Sequence, residues 1–364
     1  MIAQPKILII GNGFDLQHKM PTSYSDFANH YIETKIIPEI EKIVVNLARR
    51  NEFLNSLFVG NLVETRKKNR HHDSFINKVY MDIASGQSAS AAQYLKDNTD
   101  KLDTVIANSF LGKLYKSGYD NWFDIERAYF HELLIHKETA QKGNRPAAKK
   151  GLLKLNMEFD EIKKALVEYL KTIPIAKDPK VQRFFDTHVR GVKDVYILNF
   201  NYTSTIEDYL LEYRARQDIE VNYIHGSLEN NWIVFGYGDD TDENYQIMRD
   251  LEIDELIENY KNQAYSKYDN YSQLYERALN KYSDYDVLVI GHSLGKTDKA
   301  LLSEIINSSK LGKLYCFKRK DLEHTPELVE KEFDVLNKMA SRIFSNELDK
   351  RIKMNPLSKS SFFP

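Results

Sequence analysis

The chain has 364 residues, 42% of them hydrophobic and 29% charged, which excludes a disordered chain and leaves room for one large domain with insertions or for two domains. Lys and Arg number 51 against 53 Asp and Glu, a formal net charge of −2, so no global positive field marks the chain for nucleic acid. A single cysteine, Cys316, excludes an intramolecular disulfide and fits a reducing, cytoplasmic compartment.

Residues 6–10 are apolar and β-branched and are predicted as the first strand of a sheet, buried on both faces. The run ends at once in Gly-Asn-Gly and Asp15, too soon for the apolar core of a signal peptide. No stretch approaches the ~20 apolar residues of a membrane span. Thr22-Ser23-Tyr24-Ser25-Asp26 supplies N-cap chemistry for a helix. Helical periodicity then recurs to about residue 190, as at 103–114, 125–135 and 153–170, without a strand. Residues 66–73 and 137–150 read as charged surface loops.

Strands resume at 194–198, 221–224 and 232–235. Ser204-Thr205-Ile206-Glu207 reads as a capping box that opens a helix to about Arg214, giving a βαβ unit. Residues 243–281 form a tyrosine-rich helical stretch. A strand at 286–290, a helix from Thr297 to about Ser309 and a last strand at 313–317 follow. Thr325-Pro326 starts a helix towards Met339, and residues 355–364 are expected to form a loose tail. The fold class is therefore α/β, with a Rossmann-like, doubly wound, mainly parallel sheet and a large helical insertion. Its expected organisation is a discontinuous core from 1–27 and 191–340, a helical insertion at 28–190, a further cap segment at 243–283, and a C-terminal helix and tail at 341–364.

Four motifs follow or end the predicted strands: Gly11-Asn12-Gly13-Phe14-Asp15, Asn199-Phe200-Asn201-Tyr202-Thr203, Tyr223-Ile224-His225-Gly226-Ser227 and Gly291-His292-Ser293-Leu294-Gly295. In an open α/β sheet the carboxyl ends of the strands line one crevice, so these distant segments point to one site for a nucleotide-like ligand. Each also has a plainer reading. Gly11 and Gly13 open a phosphate-binding turn or a tight turn, and the third glycine of the full dinucleotide fingerprint is missing. Asp15 would repel a phosphate, and would instead hold a ribose hydroxyl or cap a turn. Asn199 and Asn201 are turn residues or ligand contacts, and His225 is a packed histidine or a general base.

Residues 291–295 also match the G-x-S-x-G nucleophile elbow, for which Asp298 or Asp321 with His324 would complete a triad. Only 71 residues follow Ser293 (364 − 293), and His324 is their one histidine. His71-His72-Asp73 lies in a basic run and lacks metal-ligand spacing, so no metal is expected. The tyrosines between Tyr260 and Tyr285 read as a helical packing face rather than a base-stacking surface. Trp122-Phe123-Asp124-Ile125-Glu126 opens a helix from which Glu126 is able to reach the crevice.

The segment Ile7-Leu8-Ile9-Ile10-Gly11-Asn12-Gly13-Phe14-Asp15-Leu16, followed by Thr22, Tyr24 and Phe27, resembles the opening of the bacteriophage abortive infection AbiH family. Residues 199–203 with Glu207, Ile224-His225-Gly226-Ser227, Phe235-Gly236-Tyr237-Gly238 and residues 291–298 occur in that family's order. More distantly, the same order is similar to the sirtuin-like domains of bacterial defence proteins. Those open on a Gly-Ala-Gly-type turn and carry an asparagine segment, a His-Gly pair and a late Gly-Tyr-Ser or Gly-Thr-Ser strand end.

This second resemblance implies a sirtuin-like core that takes NAD as substrate and hydrolyses it to nicotinamide and ADP-ribose. It puts Asn201 and His225 on the catalytic asparagine and histidine. Gly11, Asn12, Gly13, Asp15, Asn199, Gly291, Ser293 and Asp298 form the implied cofactor-binding set. The chain departs from those relatives at Asp15, where serine is frequent, and at Thr203, where aspartate is usual, so NAD and another nucleotide both stay open. The AbiH resemblance implies antiphage defence, with a phage-derived trigger and self-assembly as open expectations and neither a membrane nor a nucleic-acid partner expected. A serine hydrolase using Ser293 and a non-enzymatic sensor of a nucleotide or phage protein are the alternatives.

Overall fold

The computed structural model describes residues 4–38, 42, 108–117, 122–230, 232–240, 242–319 and 324–364. The predicted run at 66–73, with His71-His72-Asp73, and residues 103–107 of the run at 103–114 lie outside them, as does Asp321. Packing groups the chain into two units: Met1–Ser23, Trp122–Met157 and Leu166–Pro364 form the first, and Tyr24–Asn121 with Glu158–Ala165 the second.

The first unit contains the strands. β1 (Lys6–Ile10), β2 (Asp194–Asn199) and β3 (Asp218–Tyr223) are followed by a short antiparallel pair, β4 (Gly226–Ser227) and β5 (Trp232–Ile233). β6 (Tyr285–Ile290) and β7 (Leu311–Cys316) complete a five-stranded parallel sheet of order β3-β2-β1-β6-β7. β1 is central because it alone is apolar at every position after its lysine. Ile7 and Ile9 enter one core, and Leu8 and Ile10 the other. Successive side chains point to opposite faces of a strand, so this run needs helices on both sides of the sheet. Leu301, Leu302, Ile305 and Ile306 cover one face. Phe184, Phe185, Tyr209 and Tyr213 cover the other. Each fully buried aliphatic chain contributes roughly 1.5–3 kcal/mol. The strand order winds outward from β1 in both directions, which puts the topological switch between β1 and β6.

Within the second unit, the helix Ser109–Ser117 is secured at its start. Asn108 Oδ1 accepts from Leu111 N at 2.9 Å, and the Glu158 carboxylate accepts from the Ser109 and Phe110 amides, each at 3.1 Å. An anionic group at a helix N-terminus satisfies its free amides and its dipole together.

Several expected elements differ. Residues 137–150 are not a loop. They are helical on both sides of a turn at 142–144, where Asn144 caps the helix Arg145–Leu170 by accepting from Ala147 N. Lys, Glu, Gln and Arg are good helix formers, so a charged, polar run does not by itself mark a loop. The capping box does not form, because Glu207 pairs with Arg214 at 2.7 Å and accepts from Tyr223 Oη at 3.2 Å. A 3₁₀ turn at Thr205–Tyr209 and a single α-turn at Leu211–Arg214 replace the expected helix. The stretch 243–281 breaks into short helices. Its tyrosines do pack: Tyr260 is buried, and Tyr265, Tyr271 and Tyr275 lie against the core.

The tail is not loose. Phe362–Phe363 (β9) pairs in parallel with Lys318–Arg319 (β8). Phe363 is buried, stacked at 5.7 Å on Phe14 and edge-on at 5.1 Å to Phe184. Phe363, seated among these aromatic rings, holds the segment in place.

Candidate functional site

The carboxyl ends of β1 and β6 are in register at Ile10 and Ile290, and a glycine follows each. The two turns are stitched together. Gly11 N donates to Ile290 O at 3.1 Å and Gly13 N to Gly291 O at 2.9 Å. Gly291 has φ +65°, and a Cβ there would lie 2.3 Å from the Phe14 amide nitrogen. A Cβ on Gly11 or Gly13 would lie 2.7 Å from the Cα of His292 or Gly291 respectively. The glycines are therefore explained by turn-on-turn contact at the switch, and the amides of Gly11 and Gly13 already have acceptors. Asn12 clasps Thr22, donating to its carbonyl at 3.1 Å and accepting from its hydroxyl at 2.7 Å.

The asparagine segment fastens β2 to this turn. Asn199 Oδ1 accepts from Asn201 N at 3.0 Å, and Asn201 Nδ2 donates to Gly11 O at 3.1 Å. Thr203 Oγ1 donates to Asp15 Oδ2 at 2.5 Å, while Asp15 Oδ1 is buried without a hydrogen-bond partner. Burial raises the Asp15 pKa against the pull of the Thr203 hydroxyl. The folded protein therefore holds this proton more tightly than the unfolded chain does, and ionisation of Asp15 lowers stability as pH rises above its ordinary range. Asp15→Asn is expected to stabilise by on the order of 1 kcal/mol at pH 8 and by less at pH 5, read as the difference in Tm from the wild type.

The chemistry gathers beyond β3. His225 is fixed by its backbone, its carbonyl accepting from Val234 N at 2.7 Å. His225 Nε2 lies 3.1 Å from Asp298 Oδ1 and 3.2 Å from Tyr265 Oη. The same Asp298 oxygen accepts from Lys261 Nζ at 2.6 Å, and Lys261 is paired at 3.0 Å with Glu126 Oε1. Glu126 also accepts from Gly236 N at 3.1 Å. His292 accepts from Leu294 N on Nδ1 at 3.0 Å, which puts its proton on Nε2, 3.7 Å from Asp298 Oδ2. The Phe200 ring contacts both histidines, at 5.0 Å and 4.3 Å between centroids.

All of these charged groups are buried, and Lys261 is only 1% exposed. Burial opposes the Lys261 charge, but Asp298 and then Glu126 outweigh it and raise its pKa. Burial would likewise raise Asp298, yet Lys261 and then His225 hold it well below the usual carboxylate range. Burial and then the Lys261 charge push His225 down, against the pull of Asp298. His225 is thus neutral near pH 7, its Nε2 proton held by an ionised carboxylate and its Nδ1 basic. An orienting carboxylate behind a neutral imidazole is the arrangement of a general base.

Of the residues singled out from sequence, the structure brings His225 and Asp298 into contact, links Asn199, Asn201 and Gly11, and joins Asp15 to Thr203. Asp298 sits behind His225 rather than standing free to meet a ligand. Ser293 joins none of these networks and is exposed. Its segment also lacks the elbow: Gly291 and Leu294 carry the positive φ, and the helix starts only at Lys299. His324 is exposed, and Asp298 is committed to His225 and Lys261. Sequence reasoning missed Lys261, His292 and Tyr265. Lys261 opens a helix of five residues, too short for any periodicity to mark its inner face.

The chain is thus an α/β protein with a five-stranded parallel sheet and a buried acid–base cluster at the carboxyl edge of that sheet. It belongs to the bacteriophage abortive infection AbiH family, whose family model matches residues 7–316. No curated protein matches the sequence. Family membership points to antiphage abortive infection. Among the described residues, no helix is long and apolar enough to cross a membrane.

Proposed function

We propose that this chain is an antiphage effector that binds a nucleotide-like ligand at the switch between β1 and β6 and hydrolyses NAD to nicotinamide and ADP-ribose. The observation that carries this reading is His225 just past the carboxyl end of β3, with Asp298 Oδ1 3.1 Å from its Nε2. In the reaction the bond between the ribose C1′ and nicotinamide breaks, and nicotinamide leaves with the bonding pair. Water adds to C1′ and gives its proton to His225 Nδ1. Asn201, its Nδ2 held by Gly11 O, presents Oδ1 to the ribose hydroxyl or the water. Asp298 acts through His225. Ser293, exposed beside the glycine turn, contacts the ligand, and a phage-derived trigger with self-assembly would turn the effector on.

The test is the NAD level of cells expressing the wild type, His225→Ala or Ser293→Ala, with and without phage. Depletion on infection is expected for the wild type and is lost with His225→Ala. Protection from phage with NAD unchanged would overturn the reading. A nucleotide sensor without turnover is the second reading, favoured by the low exposure of His225 and Asn201, 6% and 7%. It predicts tight nucleotide binding with His225 dispensable for protection.

A further inference from the structure

Lys261 is held between two carboxylates, one of which also orients His225. With Lys261 and Asp298 both charged, the cluster is neutral only if it holds exactly one further proton, on Glu126 or on His225. A buried site tolerates net charge poorly, so the two positions compete for that proton. We infer that Glu126 is a positioning residue for His225 and supplies its charge compensation: the cluster carries one exchangeable proton, and His225 becomes imidazolium as Glu126 becomes carboxylate.

The surroundings support this assignment. The groups facing the pair are Lys261 and Tyr265 from the helix Lys261–Tyr265, Asp298 from the 3₁₀ turn Lys296–Asp298, His292 from the turn after β6, and Tyr202 from the turn after β2. His292 cannot substitute for Glu126 as the proton holder, because burial depresses its pKa to about 4 and its Nδ1 already accepts from Leu294 N. Tyr202 and Tyr265 are raised well above their ordinary range by burial and stay neutral. Burial lifts Glu126 to about 7 despite the Lys261 ammonium, with the Asp298 charge adding to the rise, so Glu126 changes charge near physiological pH. In the proposed hydrolysis, the attacking water delivers one proton to His225 while Glu126 loses one to solvent. The buried charge then does not change, and the net proton released is the one the reaction produces.

The mechanistic consequence rests on the NAD-cleaving reading. The titration that tests the cluster uses no substrate, so the two fail independently. Histidine-selective ¹⁵N labelling of the full chain, with His225 assigned by its loss in His225→Gln, gives its titration curve. Glu126→Gln keeps an acceptor for Gly236 N and removes the compensating charge. The expected result is a His225 pKa lower by about one unit or more in Glu126→Gln than in the wild type. An unchanged curve in a folded variant would overturn the inference. Should Glu126→Gln not fold, the wild type alone decides: His225 ¹⁵N and Glu126 ¹³Cδ shifts must each show inflections at the same two pH values, whereas separate single inflections would overturn it.

Discussion

Lys261→Met is expected to destabilise the protein by about 3–5 kcal/mol, because removing one partner of a buried ion pair leaves the other charge uncompensated. Here it leaves two. Lys261 is 1% exposed and touches both Asp298 and Glu126, so methionine of similar length fills the space while the carboxylates face each other without a cation. Both would then bind protons more tightly in the folded state than in the unfolded chain. The stability of the variant should therefore fall as pH rises through the range where the unfolded carboxylates have already ionised. The gap in denaturation midpoint between variant and wild type should widen from pH 5 to pH 8. Combining Lys261→Met with Glu126→Gln and Asp298→Asn should recover much of the loss, since neutral amides of similar shape carry a far smaller desolvation penalty than buried carboxylates. A single variant as stable as the wild type at pH 8 would show that the cluster is open to water.

Gly291→Ala is expected to cost about 2–5 kcal/mol, the sum of two effects. An alanine at φ +65° pays roughly 1–2 kcal/mol for the left-handed backbone. Its Cβ would also lie 2.3 Å from the Phe14 amide nitrogen, and separating two backbones packed that closely costs typically about 1–3 kcal/mol. Gly143→Ala separates the two contributions: Gly143 has φ +88°, but its Cβ would meet nothing within 4 Å. It should lose only about 1 kcal/mol. Urea midpoints of the two variants check this, and equal losses would mean that the contact at the switch yields easily.

The parts of the fold that depend on short-range pattern were legible in the sequence. Residues 7–10 and 287–290 are unbroken apolar runs, and the strands predicted over 6–10 and 286–290 form within a residue of those ends. The Gly-Asn-Gly turn, Asn201 and His225 stand out because polar and glycine-rich turns after buried strands line one crevice, and Asp298 through the resemblance to the defence domains. What failed to show was pairing at a distance. Nothing in the stretch containing Lys261 indicates that its amine meets Glu126, 135 positions away, or Asp298, 37 positions away. Local signals also misled where tertiary partners outbid them. Glu207 had the spacing of a capping residue, but Arg214 and Tyr223 took its carboxylate. Ser293 had the spacing of a nucleophile, but the backbone bend falls on its neighbours.

The strand order carries a consequence for the order of events in synthesis. β1 is made well before its partners, which lie at Asp194–Asn199 and Tyr285–Ile290. Pairing across such separations pays its loop-closure entropy before any contact repays it, so the sheet centre closes slowly and late. The nascent Lys-Ile-Leu-Ile-Ile segment must wait unpaired until its partner strands are translated, an exposed apolar strand of the kind chaperones shield. No fragment that stops short of Asp298 can supply both Lys261 and His225 with their shared carboxylate. Unfinished or proteolytically clipped copies therefore lack the cluster altogether, and a cell making this protein accumulates the complete centre only from chains that have passed that residue.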